Sequence, residues 1–198
     1  MNHNMDNKRF SLYLFVVFCC LFVSAQELTD FNVERLDINK AGMMVLGGWA
    51  VANLVSSPIL ASRNTGSTKY FHQMNGYWNT VNFALAGFGF YGALTGDPSG
   101  FTLSETLSEQ MSMEKILLFN AGLDIGYMAG GLYLMERSKR DNSDRLKGFG
   151  QSIVLQGAFL FAFDLGFFLT HQGHEQQLFK YLEQVSIHPT GFSLGWRI

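Results

Sequence analysis

Charge is scarce in this chain. Only 15% of its 198 residues are Asp, Glu, Lys or Arg, against roughly 25% in soluble domains, and long stretches contain none. Cysteine is scarcer still, with two copies, Cys19 and Cys20, both near the N-terminus. If that region is removed on export, the mature chain has no thiol, which excludes disulfides, thiol catalysis and Cys-ligated zinc. A basic stripe is missing too, and with a formal net charge of -2 there is no footprint for nucleic acid. Enzyme signatures are equally absent: there is no Ser-His-Asp set, no H-E-x-x-H and no phosphate-cradling loop. Gly87-Phe88-Gly89-Phe90-Tyr91-Gly92 matches G-x-G-x-x-G only as a string. It lies inside an apolar helical stretch whose N-H groups are already used, so no dinucleotide, and no other cofactor, is expected.

The chain does have long apolar segments, being 47% hydrophobic and 15% aromatic. At the N-terminus Lys8 and Arg9 precede the apolar core Phe10 to Val23, and Val23-Ser24-Ala25 is a small-residue cleavage site, the order of an export signal. Residues 1–25 are therefore read as a cleaved signal peptide and 26–40 as an exported lead-in. Residues 41–172 form a membrane domain with spans at about 41–61, 74–95, 116–135 and 149–171, each near the length that crosses a bilayer as a helix. The expected fold is an all-α membrane protein, a four-transmembrane-helix bundle with a small exported C-terminal tail at 173–198. The tail pairs an amphipathic helix to Val185 with a hairpin formed around His188-Pro189-Thr190-Gly191.

Threading follows from the basic residues. Arg137, Lys139, Arg140, Arg145 and Lys147, with Arg63 and Lys69, lie in the first and third loops, while the middle loop has only Lys115. The positive-inside rule puts those two loops in the cytoplasm. A cleaved signal followed by four spans does the same, leaving both mature termini outside the bacterial inner membrane. An outer-membrane β-barrel is the second alternative, suggested by the alternation of Phe192, Leu194, Trp196 and Ile198 at the end of the chain.

Polar residues inside apolar spans are the candidates for function. Asp124, in Asp-Ile-Gly-Tyr, and Asp164, in Asp-Leu-Gly-Phe, occupy matching surroundings, and an ionised carboxylate there must face a partner or a water-filled cavity. Asn120 lies four residues from Asp124. Asn53, Asn79 and Asn82 could extend the same polar track, and Asn75, Asn79, Asn82, Ala86, Gly89 and Ala93 follow one another at the spacing of a packed seam. Gly122, Gly126 and Gly130 repeat every four residues, as do Gly48 and Ala52, so both stripes are expected at close helix contacts. That would place the third span centrally. His171, His174 and Glu175 have helical spacing for a metal, although histidines at a wet helix end are more often simply solvated.

The strings Met44-Val45-Leu46-Gly47-Gly48-Trp49-Ala50 and Tyr70-Phe71-His72-Gln73-Met74-Asn75, with Trp78-Asn79 and Asn82 beyond, resemble an uncharacterised family of small multi-span bacterial membrane proteins, a domain of unknown function. The resemblance implies a helical membrane protein and carries over no functional residue. The residues themselves favour a structural or accessory membrane component, touching lipids and a second copy or a membrane-protein partner. The alternative is a small proton- or cation-coupled transporter or channel built on Asp124 and Asp164.

Overall fold

Two sharp turns set the architecture. Thr65 is extended (φ -126, ψ 176) and Gly66 takes φ +58, a value that glycine adopts at little cost. This lets helix α2 (Gly66–Thr95) fold straight back on helix α1 (His3–Arg63). Asn142, at φ 46 and ψ 46, ends helix α3 (Leu103–Asp141) in the left-handed cap conformation that Asn tolerates, and helix α4 (Asp144–Gln184) starts two residues later. Strands β1 (Val185–His188) and β2 (Gly191–Leu194) close the chain as an antiparallel hairpin with Val185 opposite Leu194. These elements come from a computed structural model that describes residues 3–188 and 191–194, with side-chain surroundings for 26–179.

The connections are shorter than the sequence suggests. Residues 62–73 and 136–148 read as polar loops, yet helix occupies all but 64–65 and 142–143. The basic residues sit on helix ends rather than in slack chain. Likewise the lead-in 26–40 continues α1, and the amphipathic stretch after residue 172 continues α4 without a break. The barrel alternative is overturned, because all four central segments are helical and the strands described are the short terminal pair.

The helices form two hairpins, α1 with α2 and α3 with α4, joined where α2 lies along α4. The expectation of a central α3 is therefore corrected: α2 and α4 are the inner pair, and α3 packs mainly on α4. Its buried positions include Gln110, Leu117, Asp124, Gly131 and Ser138, and those of α4 include Gly150, Gly157, Asp164, His171 and Leu178. Both series step by seven. A seven-residue period keeps one seam facing its partner along left-handed supercoiled helices, and in antiparallel helices the two series meet layer by layer. Apart from Leu117 and Leu178, the layers are polar or small where a coiled coil is normally apolar.

Helices α3 and α4 come close at Gly131 and Gly150, where a Cβ on Gly131 would stand 2.8 Å from the Gly150 carbonyl oxygen, and α4 comes closer still to α2 at Gly148, where a Cβ would meet the Ser67 carbonyl oxygen. Gly122, Gly126, Gly130 and Gly48 have nothing within 4 Å of such a Cβ, and Ala52 is exposed. The expected packing stripes thus face outward, and neighbouring glycines one residue or more out of phase make the contacts.

Burial is inverted relative to a water-soluble domain. Among the described residues sixteen polar or charged side chains are buried against ten hydrophobic ones, while Phe88, Phe119, Tyr91 and many other large apolar side chains are exposed. Water-soluble chains sort the other way. Among the described residues two helical stretches, Gln26–Arg63 and Asp144–Phe179, are long and apolar enough to cross a membrane.

Candidate functional site

The buried polar groups separate into three layers. The one nearest the two short turns joins three helices through Asn75, which lies on the α2 seam facing α4. Its Oδ1 accepts from Ser152 Oγ at 2.5 Å and from Gln156 Nε2 at 3.0 Å. Gln156 Oε1 in turn accepts from Trp49 Nε1 at 2.9 Å, and the Trp49 ring stacks on Phe159 at 3.9 Å between centroids. Asn79 donates to the Asn75 carbonyl at 2.8 Å, and Asn82 Nδ2 lies 3.4 Å from Asn79 Oδ1. Asn53 donates to the Trp49 carbonyl on its own helix. Donors and acceptors here answer one another, which is what interhelical glue requires, at about 0.6 kcal/mol or more per bond.

The second layer is the carboxylate pair. Asp124 on α3 and Asp164 on α4 occupy facing seam positions, both buried, with their carboxyl groups within hydrogen-bonding reach of each other. Gly157 helps to bring them together, since a Cβ there would stand 3.1 Å from the Asp124 carbonyl oxygen. Asp124 Oδ2 has no hydrogen-bond partner among the described residues. Two carboxylates have only acceptors to offer each other, so such a pair needs a shared proton or a cation between its oxygens. Asn120, four residues away, is only partly buried. The single polar track expected from sequence is therefore two sites of different chemistry, one of amides and one of carboxyls.

The third layer lies at the end of the bundle away from the two short turns, where α1, α3 and α4 meet. Asn32 donates to Thr106 at 2.9 Å, Arg35 Nε to Asn32 Oδ1 at 3.3 Å, and Gln110 Nε2 to the His171 carbonyl at 2.7 Å. Arg35 is 3.8 Å from Glu109. His174 stacks on Phe31 at 3.9 Å, its Nε2 is 3.1 Å from the Phe31 carbonyl, and its Nδ1 is 3.7 Å from Glu34. Because a carbonyl only accepts, the neutral ring must carry its proton on Nε2. Burial holds His174 below the ordinary imidazole range, while the Phe31 carbonyl and Glu34 pull the other way. Burial also lowers Arg35, and Glu109 opposes it.

Solvated histidines are thus a second correction. His171 is 0% and His174 3% exposed, because α4 continues past them and turns both into the bundle. Nor do they gather a metal set: among the described residues no three His, Cys, Asp or Glu side chains are placed to hold one. His171 meets Phe167 edge-on at 4.7 Å. Glu175 is raised by burial and by Glu114, so it faces another carboxylate.

Sequence reading missed Asn32, Arg35, Thr106, Gln110, Ser152 and Gln156. The seven-residue spacing from Gln110 through Asp124 to Ser138 was the available signal. It escaped a search for hydrophobic periodicity because only one of those five residues is apolar.

No curated protein and no solved structure matches the chain. Residues 45–165 do match a family model; they include the amide layer and both carboxylates, and of the histidine layer they include Thr106, Glu109 and Gln110 but neither histidine. By that match the chain belongs to a family of unknown function (DUF6992).

Proposed function

We propose that this is a four-span protein of the bacterial inner membrane whose interior carboxyl pair, Asp124 and Asp164, binds a proton or a small monovalent cation. The observation that carries the reading is the buried juxtaposition of two carboxyl groups with one oxygen unpartnered. Amide glue satisfies itself, whereas a carboxyl pair calls for a positively charged third party. The four-span reading is supported by the inverted burial, which suits a hydrocarbon solvent, and by the basic residues collected at the ends of α1, α3 and the starts of α2 and α4. A second reading, a structural or accessory component, is favoured by the closed Asn75, Ser152, Gln156 and Trp49 network, which needs no ligand.

The test compares the parent with Asp124→Asn and Asp164→Asn in detergent. Asn keeps the shape and can hydrogen-bond but neither titrates nor carries charge. With a bound cation, parent stability should rise with Na⁺ or K⁺ by about 1.4 kcal/mol per tenfold once the ion exceeds its dissociation constant, and each variant should lose that slope. With a bound proton, the slope appears against pH instead. Ion and pH dependence that is the same in the parent and in both variants would leave only the structural reading.

A further inference from the structure

At the end of the bundle opposite the histidine layer, the two short turns border an open, groove-like cavity of about 400 Å³ lined by Thr65, Gly66, Lys69, Tyr70, Ser143, Asp144 and Arg145. Its charges are unequally committed. Arg137 and Lys139, also at this end, pair with Asp141 at 3.0 Å and Glu136 at 2.6 Å on their own helix. Lys69 and Arg145, which line the cavity, make no ion pair among the described residues. The one acidic wall, Asp144, is turned toward the start of α2, where a Cβ on Gly66 would stand 3.3 Å from its Oδ2. The cavity therefore offers two cations that make no ion pair among the described residues, in a lining that also holds the hydroxyls of Thr65, Tyr70 and Ser143.

What adjoins the cavity is apolar. Arg145 lies over the Phe149 ring at 5.1 Å, and Tyr70 meets the same ring edge-on at 6.2 Å. Farther along the same helices Tyr77, Val81 and Leu155 are exposed. A cationic pocket continuous with an outward apolar surface is complementary to an amphiphile whose anionic group and chains are joined. We propose that the cavity binds the phosphate of an anionic phospholipid headgroup between Lys69 and Arg145, with the acyl chains against the outward faces of α2 and α4. The site rests on the membrane reading above and is independent of the carboxyl pair. Basic pockets between helices on the cytoplasmic side are suited to such headgroups, and the aromatic pair belongs at that depth.

The experiment uses the full chain reconstituted in bilayers of phosphatidylcholine alone or with phosphatidylglycerol, and reads thermal stability. Phosphatidylglycerol should raise the melting temperature by several degrees, an effect that weakens with salt. Lys69→Gln with Arg145→Gln should abolish the rise while leaving the phosphatidylcholine value in place. If the double variant is unstable in phosphatidylcholine, each single variant is read in the same way and should lose part of the rise. Glycerol phosphate added to phosphatidylcholine bilayers should have no effect. The proposal is overturned if the variants respond to phosphatidylglycerol as the parent does, or if glycerol phosphate alone reproduces the rise, which would make the site one for free phosphate. Alkaline carbonate extraction separates this from failure of the membrane reading: a chain released by carbonate overturns both, whereas a retained chain indifferent to phosphatidylglycerol overturns only the lipid site.

Discussion

Gly126 and Gly131 are five residues apart on α3 and lie on different sides of it. Leucine at 126 would point into open space, whereas any side chain at 131 would meet the Gly150 carbonyl and Val154 of α4. Gly131→Val should therefore cost about 1–3 kcal/mol or more, as overpacking does, and Gly126→Leu should leave detergent-solubilised melting nearly unchanged. A variant pair with the opposite ranking would mean that the α3–α4 crossing is wrongly placed. Sequence could not separate the two glycines, because four-residue spacing is equally good on either side of a helix. The Asn75, Asn79 and Asn82 stripe was legible for the opposite reason: amides stand out against an apolar background. His174 makes a different prediction. Its folded pKa lies below the unfolded value of about 6.5, so the unfolded chain binds more protons and stability falls as pH drops through that value. His174→Phe keeps the stack on Phe31 and should lose part of this acid sensitivity in melting curves taken across pH 8 to 5.

At the scale of elements, α3 begins with a fully formed capping box. Thr102 accepts from the Glu105 backbone N-H at 3.3 Å, and the Glu105 carboxylate accepts from the Thr102 N-H and hydroxyl, both at 2.8 Å. Those bonds hold Glu105 below the ordinary carboxylate range. The contribution is therefore present above the unfolded carboxylate pKa and lost as pH falls through the folded one. Thr102→Ala should cost about 1 kcal/mol at neutral pH, with a smaller deficit in acid; an equal deficit at both pH values would show that the box does not form. The box was readable from Thr102-x-x-Glu105, since its spacing is local. Helix ends without such punctuation were not. Residues 136–141 and 66–73 are polar because they cover helix ends, and polarity by itself does not distinguish an exposed helical turn from a loop. The continuation of α4 beyond His171 was hidden in the same way, and with it the burial of both histidines.

For the whole molecule, the threading makes a two-sided prediction. Ser99 lies in the α2–α3 connection and Ser143 in the α3–α4 turn, at opposite ends of the bundle. In a chain whose only cysteines are Cys19 and Cys20, both inside the proposed signal, cysteine at 99 should react with an impermeant thiol reagent on intact cells. Cysteine at 143 should react only after permeabilisation. Labelling of Ser143→Cys in intact cells would reverse the orientation and move the lipid pocket to the other leaflet.

The unbroken course of α1 has its own consequence for how the chain matures. At 1.5 Å per residue, the centres of the apolar segments at 10–23 and 41–61 are roughly 50 Å apart along one rod, and a hydrocarbon layer about 30 Å thick has room for only one of them. A rod seated with residues 41–61 in the bilayer would carry its first apolar segment far out into water. On the four-span reading proposed above, the two segments are used in succession, the first to engage the membrane during export and the second to remain there. Mass measurement of the membrane-extracted protein should accordingly find a chain beginning at Gln26. A chain that kept its first 25 residues could satisfy both segments only by breaking α1 between residues 26 and 40, which would dismantle the Asn32–Thr106 and Arg35–Glu109 contacts on which the histidine layer depends.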